Sequence, residues 1–256
     1  DWKHMVDVLY NLDKTVKIAI VGKYTQLHDA YISVVEALKH GGIAAKTKVD
    51  IKWVDSETVT DETVDGILGD VSGILVPGGF GDRGIPGMIT AIRYAREKKV
   101  PFLGLCLGMQ LSIVEFARNV LGLHDADSIE FNPDTAHPVI AFLPDHSKDD
   151  DLGGTLRLGA YPCVLEEGTL AYRLYGSKDI SERHRHRFEV NNDYRDALTN
   201  GGLRLCGLSP DNRIVEMIEN PDSSFFIATQ AHPELKSRPN RPHPLFAGFV
   251  AAALEH

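Results

Sequence analysis

The feature that most constrains the fold is a regular alternation, over the first half of the chain, of short apolar β-branched runs with longer amphipathic segments. Residues 15–22 (TVKIAIVG) have the composition of a buried strand, whereas residues 29–42 and 86–99 have apolar positions at helical spacing. Gly41 and Gly42 are expected to end the first of these helices. The alternation predicts an α/β domain whose parallel sheet is covered by helices on both faces.

The second half of the chain has a different pattern, in which short apolar runs are separated by turn residues. This pattern is typical of antiparallel strands, so we expect an antiparallel extension or flap of the sheet there, followed by a closing helix over residues 243–256. The acidic residues 145–154 are the best candidate for a mobile loop. The candidate strands are residues 137–144, 153–165, 203–209, 213–220 and 224–230.

The composition fits one large globular domain, since 256 residues, of which 43% are hydrophobic and 25% charged, can bury a sizeable core. A formal net charge of −9 gives no long-range attraction for nucleic acid or for an anionic membrane. No window has the roughly 20 uninterrupted apolar residues of a membrane helix, and the first residues are too polar for a secretory signal. We therefore expect a cytoplasmic protein with no nucleic-acid or membrane partner.

The three cysteines are odd in number and widely spaced, which argues against a disulfide framework or a structural zinc site. Cys163 and Cys206 lie in apolar, β-rich runs and are interpreted as packed thiols. No metal site is expected.

The third cysteine has a different setting, because VPFLGLCLGMQ (residues 100–110) places Cys106 between Gly104 and Gly108 where a strand gives way to a helix. This is the spacing of a nucleophile elbow, in which a sharp turn holds the nucleophile in a strained conformation. A helix N-terminus favours thiolate over thiol, and the N–H of Leu107 can point at a developing oxyanion. A small cysteine packed into a βα turn gives the same pattern, so the motif needs a partner.

A candidate base lies far along the chain in TQAHPELKSRP, residues 229–239. His232 and Glu234 flank Pro233, and in an extended segment they would project to the same side. Glu234 would then orient one imidazole nitrogen while the other faces the thiol. His-Pro-Glu is also a common turn sequence, and the sequence alone does not bring Cys106 and His232 together.

A glycine-rich loop, VPGGFGDRG at residues 76–84, follows a strand one βα unit before Cys106. Its glycines allow close approach of the main chain to a ligand, so the Gly79 N–H is a candidate second oxyanion donor. No Gly-Lys-Ser/Thr follows, which excludes a P-loop, and the spacing does not match a dinucleotide fingerprint. A flexible βα loop is the alternative interpretation.

In this order and at these separations, the motifs PGGFG, GLCLGMQ and HPE resemble those of class I (triad) glutamine amidotransferase domains. Residues 21–42, 153–163, 182–192 and 241–250 are similar to the glutaminase domains of the CTP synthase family in particular. The resemblance implies the class I glutamine amidotransferase fold, which has a flavodoxin-like parallel sheet core flanked by helices and an antiparallel β extension.

The resemblance also implies roles for individual residues. Cys106 would attack the side-chain amide of L-glutamine to form a γ-glutamyl thioester, while His232, oriented by Glu234, takes the thiol proton and delivers it to departing ammonia. The N–H groups of Gly79 and Leu107 would form the oxyanion hole. The family positions that contact glutamine correspond to Gly79, Leu107, Gly108, Met109, Gln110, Glu130 and Arg187.

For two of these residues a kind of contact can be named. The carboxylate of Glu130 suits the α-ammonium group of the substrate, and Arg187 is a candidate to contact the substrate through its main chain. Three positions depart from the family pattern. Ala231 and Leu235 stand where aromatic side chains are common, which puts the pocket shape in doubt and leaves the triad intact. Asp82 lies where the family varies, in a lid loop linked there to activation by GTP.

CTP synthases also carry an N-terminal synthetase (amidoligase) domain with a P-loop, which uses ATP, Mg²⁺ and UTP to make CTP and receives the ammonia. The sequence contains no such segment, so residues 1–14 are interpreted as the remnant of an interdomain linker and residues 15–256 as the glutaminase domain. The resemblance implies no cofactor in this domain, a homotetramer for the full enzyme and GTP as its allosteric activator. We expect the chain alone to make no CTP and to hydrolyse glutamine slowly.

Two other interpretations stay open. A stand-alone γ-glutamyl hydrolase shares the Cys-His pair, although the segments RHRHR and PHPLF argue against it. A catalytically silent regulatory domain would also keep these residues. The resemblance implies that the basic residues 183–187 face the synthetase domain or belong to a nucleotide-responsive region, with a solvated charge cluster as the alternative.

Overall fold

A computed structural model describes residues 2–142 and 157–256, so the predicted loop at residues 145–154 lies outside the described residues. The helices are α1 (Trp2–Tyr10), α2 (Ile32–Ala44), α3 (Val64–Leu68), α4 (Ile85–Lys98), α5 (Leu107–Asn119), α6 (Leu170–Tyr175), α7 (Arg195–Asn200) and α8 (Pro244–Glu255). The strands are β1 (Lys14–Gly22), β2 (Thr47–Asp55), β3 (Gly73–Val76), β4 (Phe102–Leu105), β5 (Ala126–Ser128), β6 (His137–Phe142), β7 (Arg157–Leu165), β8 (Asp179–His186), β9 (Phe188–Val190), β10 (Arg204–Leu208), β11 (Val215–Glu219) and β12 (Phe226–Thr229).

The main sheet has nine strands in the order β2-β1-β3-β4-β12-β11-β10-β7-β8. The strands from β2 to β12 in that order are parallel, and their arrangement is that of flavodoxin-like folds. The strands from β11 to β8 pair in antiparallel fashion. The predicted parallel core and its antiparallel extension are therefore confirmed.

Helices cover both faces of the parallel part, because successive side chains of a strand point to opposite sides. On β1, the fully buried Ile18 and Ile20 belong to the cluster that includes α2 and α8. Ala19 and Val21, also fully buried, belong to the cluster that includes α4 and α5. Each fully buried Ile or Val side chain contributes about 1.5–3 kcal/mol to the free energy of folding, so this strand anchors both layers.

The structure corrects the predicted end of α2, which continues through Gly41 and Gly42 to Ala44. A Cβ atom at Gly41 would lie 2.7 Å from a main-chain oxygen of α8, and one at Gly42 would lie 2.7 Å from a main-chain oxygen of β2. These glycines permit close packing of the helix against its neighbours and do not stop it.

Two of the strands expected in the antiparallel extension lie elsewhere. β12 pairs in parallel with β4 at the centre of the core, because its antiparallel partner β11 has already reversed the chain direction. β6 belongs to a separate three-stranded sheet of order β5-β6-β9, in which it is parallel to β5 and antiparallel to β9. The placement of β12 beside β4 matters most, since it brings the chain after β12 next to the chain after β4.

The first fourteen residues include α1, on which Trp2 and Tyr10 remain largely exposed. Within the described part of the chain, no helix combines the length and the apolar character that crossing a bilayer requires.

Candidate active site

Three loops converge at one edge of the main sheet. β3, β4 and β12 are adjacent and parallel, so their carboxyl ends meet, which is where ligands bind in open α/β sheets. The glycine-rich loop of residues 77–84 follows β3, Cys106 follows β4, and His232 lies just after β12. The fold therefore joins the three motifs that are far apart in the sequence.

Cys106 has φ 52° and ψ −100° between β4 and α5, a conformation that a non-glycine residue rarely adopts. Close packing of the turn explains its flanking glycines: a Cβ at Gly104 would lie 2.8 Å from a side chain of β12, and one at Gly108 would lie 2.2 Å from Val76 O. The Cys106 N–H donates to Thr229 O over 2.8 Å. The predicted strained elbow is confirmed, and such strain costs about 1–3 kcal/mol.

His232 lies between Cys106 and Glu234. Its Nδ1 is 2.7 Å from Glu234 Oε1, which leaves Nε2 as the nitrogen available to Cys106. A Cβ built at Gly78 would lie 3.0 Å from the His232 ring and 3.4 Å from Cys106 Cβ, so both side chains border this glycine. The His232 N–H donates to Arg183 O over 2.7 Å, which fixes the histidine backbone to β8.

The local geometry of His-Pro-Glu differs from the extended segment expected. Residues Pro233–Leu235 form a single 3₁₀ turn, for which the proline ring presets φ at the first position. The turn brings the Glu234 carboxylate back to the His232 ring. The predicted contact between these two side chains therefore forms in a 3₁₀ turn and not in an extended segment.

The pKa of His232 is raised to about 10. Burial alone would lower it, but the hydrogen bonds to Cys106 and Glu234, together with the negative charges on these groups, favour the protonated ring. Glu234 Oε2 is buried and has no hydrogen-bond partner among the described residues. The site therefore holds an imidazolium at neutral pH, ready to donate a proton.

The other cysteines have no such surroundings. Cys163 and Cys206 are almost fully buried in the core cluster that faces α2 and α8. Burial, with nearby carboxylates, raises the pKa of both thiols well above the ordinary value. They stay protonated, as expected of packed thiols.

A cavity of about 40 Å³ borders Cys106. This is room for a few water molecules only. A wider cleft of about 1190 Å³ lies between β7, β10 and α7, and neither Cys106 nor His232 lines it. The residues that line the small cavity are Gly79, Phe80, Cys106, Gln110, Glu130, His186, Arg187 and Phe188.

Four of the residues predicted to contact glutamine thus line the cavity. Leu107, Gly108 and Met109 are not among its lining residues, and the Met109 side chain is fully buried in the core. Ala231 and Leu235, which depart from the family pattern, do not line it either. Their substitution therefore leaves the wall of this cavity unchanged.

The far end of the cavity carries charges of both signs. Glu130 Oε1 accepts a hydrogen bond from the Gly81 N–H over 3.3 Å. Burial raises the pKa of Glu130, while this bond and the charges of Lys23 and Arg187 oppose the rise. Arg187 Nε is buried and has no hydrogen-bond partner in the part of the chain that is described. A carboxylate and a guanidinium at one end complement the ammonium and carboxylate of an amino acid.

The two residues expected to supply oxyanion donors are neighbours. A Cβ at Gly79 would be 3.4 Å from Leu107 Cδ2, in ordinary contact. Leu107 is the first residue of α5, and N–H groups in the first turn of a helix lack intrahelical acceptors. Gly79 lines the same cavity as Cys106, and Leu107 directly follows Cys106 in the chain.

Lys23, which the sequence analysis did not identify, holds the glycine-rich loop. It is 3% exposed, and its Nζ donates to Phe80 O over 3.1 Å and also to Gly81 O. Arg83 in turn donates to Lys23 O. Burial lowers the pKa of Lys23, opposed by the charges of Glu130 and Asp82. A lysine directly after β1, at the same sheet edge, was the available signal.

Residues 183–186 of the segment RHRHR form the end of β8, and Arg187 follows the strand. Arg183 and Arg185 are exposed, whereas His184 and His186 are buried, as period-two geometry requires. His186 Nε2 is 2.6 Å from Glu189 Oε1, and His186 lines the cavity together with Arg187. The exposed part of the basic patch therefore consists of Arg183 and Arg185.

Gln230 is a second residue that the sequence analysis missed. Its side chain is fully buried, and its Nε2 lies 3.6 Å from Cys106 Sγ. It stands two positions before His232, so the alternation used for His232 and Glu234 could have pointed to it.

Comparison with known proteins fits this geometry. The family model for glutamine amidotransferase class-I matches residues 26–252. The chain belongs to this class-I glutamine amidotransferase family. Amidotransferase relatives named CTP synthase, from Clostridium perfringens and Geobacillus kaustophilus, are each 59% identical to it, over 256 and 255 residues. Each alignment covers 100% of this chain and 48% of the relative, so the chain spans about half the length of these relatives.

One solved structure of a glutaminase domain is similar to this amidotransferase over nearly its whole length. It is described as the glutaminase domain of Trypanosoma brucei CTPS with bound acivicin, and is 40% identical, with a TM-score of 0.88 over 94% of both chains. A glutamine amidotransferase of Methylobacillus flagellatus, 13% identical with a TM-score of 0.50, shares the fold alone. The similarity to the CTP synthase glutaminase domain thus extends over nearly the whole chain.

Proposed function

We propose that this amidotransferase domain hydrolyses L-glutamine through Cys106, His232 and Glu234 and supplies the ammonia for amination of UTP to CTP. The observation that carries the proposal is that Cys106, on a strained elbow at the carboxyl edge of the sheet, and His232, hydrogen-bonded to Glu234 over 2.7 Å, border the same glycine, Gly78. A nucleophile, a base and an orienting carboxylate in contact support acyl transfer chemistry.

The chemistry begins with attack of the Cys106 thiolate on the side-chain carbonyl carbon of glutamine. The carbon–nitrogen bond breaks as His232 gives its proton to the leaving nitrogen, so ammonia departs and a γ-glutamyl thioester remains. His232, now neutral, takes a proton from water, whose oxygen attacks the thioester carbonyl. Glutamate leaves, and the thiolate and imidazolium are restored.

The charge on the carbonyl oxygen develops beside two main-chain donors, the N–H groups of Gly79 and Leu107. Their adjacency in the structure supports this assignment. One oxyanion donor contributes on the order of 10²–10³ in kcat.

Substrate recognition follows from the charges of the cavity. Glu130 accepts from the α-ammonium group, which relieves the cost of holding a buried carboxylate. The unpartnered Arg187 Nε faces the α-carboxylate. Gln110 and Gly79 line the remaining wall. This pairing favours a free amino acid over a peptide.

The destination of the ammonia is inferred from the relatives named CTP synthase. In such an enzyme the other half of the protein would activate UTP with ATP and Mg²⁺ and receive the ammonia, with GTP as activator. The chain matches 48% of these relatives, which leaves room for that second unit in them.

The test is ammonia release from L-glutamine by the chain, measured with Cys106→Ala and with Cys206→Ala as the matched thiol control. We expect release that is lost in Cys106→Ala and kept in Cys206→Ala. Equal release by Cys106→Ala would contradict the proposal. Preferential cleavage of γ-glutamyl peptides over glutamine would favour a γ-glutamyl hydrolase, and no cleavage by either the chain or the full-length enzyme would favour a silent domain.

A further inference from the structure

Two buried amides extend from the cavity wall to the Cys106 sulfur. Gln230 is fully buried and Gln110 is 3% exposed. Gln110 Nε2 donates to Phe188 O over 3.0 Å and to Gln230 Oε1 over 3.2 Å, and Gln230 Nε2 lies 3.6 Å from Cys106 Sγ. The two side chains form a continuous hydrogen-bonded series that ends on the nucleophile.

The direction of this series is fixed at its far end. A main-chain carbonyl such as that of Phe188 can only accept, so Gln110 must turn its NH₂ group toward it. The second N–H of that group then requires the oxygen of Gln230 as its acceptor. Gln230 is left with its NH₂ group facing the sulfur, because turning either amide over would set two donors or two acceptors against each other.

The main chain holds both amides close to the elements that carry the nucleophile. The Gln230 N–H donates to Glu216 O over 2.9 Å, and the Gln110 N–H donates to Cys106 O over 3.2 Å. Neither side chain needs to reorganise when charge develops on the sulfur, which is the condition under which a fixed dipole is most effective.

The geometry points to Gln230, oriented by Gln110, as a donor that stabilises the Cys106 thiolate and fixes its direction of attack, a role that rests on the proposed glutaminase function. A thiolate is a stronger acceptor than a thiol, so a fixed N–H donor favours the charged form. His232 also borders Cys106, so the proposal gives this nucleophile two neighbouring N–H donors, Gln230 and the protonated His232.

The test is the pH dependence of Cys106 alkylation by iodoacetamide, followed by mass mapping, in the wild type, Gln230→Met and Gln230→Glu. Methionine keeps the length and removes the donor, whereas glutamate also adds an acceptor charge. We expect the midpoint of the pH–rate profile to move up by about one pH unit in Gln230→Met, and further in Gln230→Glu. Gln26→Met, at an exposed glutamine, should leave the profile unchanged.

An unchanged midpoint in both Gln230 variants would overturn the inference and leave Gln230 as a packing link between β12 and α5. If Gln230→Met does not fold, Gln110→Met provides a second test, because it keeps the donor but frees it to turn, and it should shift the midpoint in the same direction. Alkylation needs no glutamine turnover, so failure of the glutaminase assay with a shifted midpoint would reject the proposed function and keep the thiolate donor.

Discussion

The two sides of the cavity are built differently. The nucleophile side consists of Cys106, Gln230 and His232, whose main-chain N–H groups donate to Thr229, Glu216 and Arg183 on neighbouring strands. The loop side, residues 77–84, is held mainly by long side chains, including those of Lys23 and Glu130. Phe80 at its tip is 55% exposed.

This difference separates the part of the site that the sheet holds in place from the part that a few side chains hold. Main-chain bonds between strands are short and cooperative, so the geometry of the nucleophile is set by the fold itself. The loop can change position by breaking a few side-chain contacts. We infer that the main chain around Cys106 is held more rigidly than the glycine-rich loop.

The largest effect should come from Cys106 itself, where catalysis and backbone strain compete. Cys106→Gly and Cys106→Ala should both lose glutaminase activity, but the glycine variant should be the more stable by about 1 kcal/mol, because φ 52° is easy for glycine alone. Urea unfolding measures the difference. The control is Glu36, an exposed position within α2, where the alanine variant should be more stable than the glycine variant. A Cys106→Gly variant less stable than Cys106→Ala would refute the strained turn.

The next largest effect should come from replacing the base, His232. His232→Ala should lower kcat by roughly 10²–10⁴, since it removes both proton transfers. Glu234→Gln, which keeps a hydrogen-bond acceptor but no charge, should lower it less. Steady-state glutamine hydrolysis measures both, with His124→Ala, an exposed histidine, as the control. Full activity in His232→Ala would place the base elsewhere.

On the loop side, Lys23→Met should lower kcat by about tenfold, because the glycine-rich loop loses the hydrogen bonds from Lys23 Nζ to two of its carbonyl groups. The effect should be smaller than removal of an oxyanion donor, because the Gly79 N–H itself is still present. Cys106 alkylation should stay unchanged, which separates the two sides of the cavity. Lys39→Met, at an exposed lysine, is the matched control. A change in alkylation with unchanged kcat would reverse the assignment.

The last prediction concerns pH, which changes the two sides of the cavity gradually. Because the pKa of His232 is about 10, the proton needed by the leaving ammonia is lost as pH rises through about 10, and kcat should fall there. The folded pKa lies above the ordinary value of 6.5, so the stability that protonated His232 contributes is complete below about pH 6.5 and declines as pH rises towards 10. His232→Ala should remove this dependence in denaturant titrations at a series of pH values, and its persistence there would assign it to another group.

The sequence predicted the nucleophile side better than the loop side. The G-x-C-x-G spacing carries its own geometry, since Gly104 and Gly108 have no room for a side chain. The contact between Cys106 and His232 depends on β12 pairing with β4, a long-range pairing that no local pattern encodes. Lys23 and Gln230 each had a weak local signal, but the loop that Lys23 holds and the sulfur that Gln230 contacts both lie far away in the sequence.

The helix ends show the same limit. Gly41 and Gly42 were interpreted as the end of α2, yet they lie within the helix and allow it to pack closely against α8 and β2. The local sequence does not distinguish a glycine that ends a helix from one that permits close packing. The domain bounds and the linker at residues 1–14 stay predictions.

The central claim is that Cys106 carries a γ-glutamyl thioester, and acid quenching during glutamine turnover followed by peptide mass mapping tests it most directly. We predict a γ-glutamyl adduct on the Cys106 peptide that is absent in Cys106→Ala and reduced in His232→Ala, because His232 also protonates the ammonia that leaves as the thioester forms. An adduct on Cys163 or Cys206, or ammonia release with no adduct on any cysteine, would contradict it.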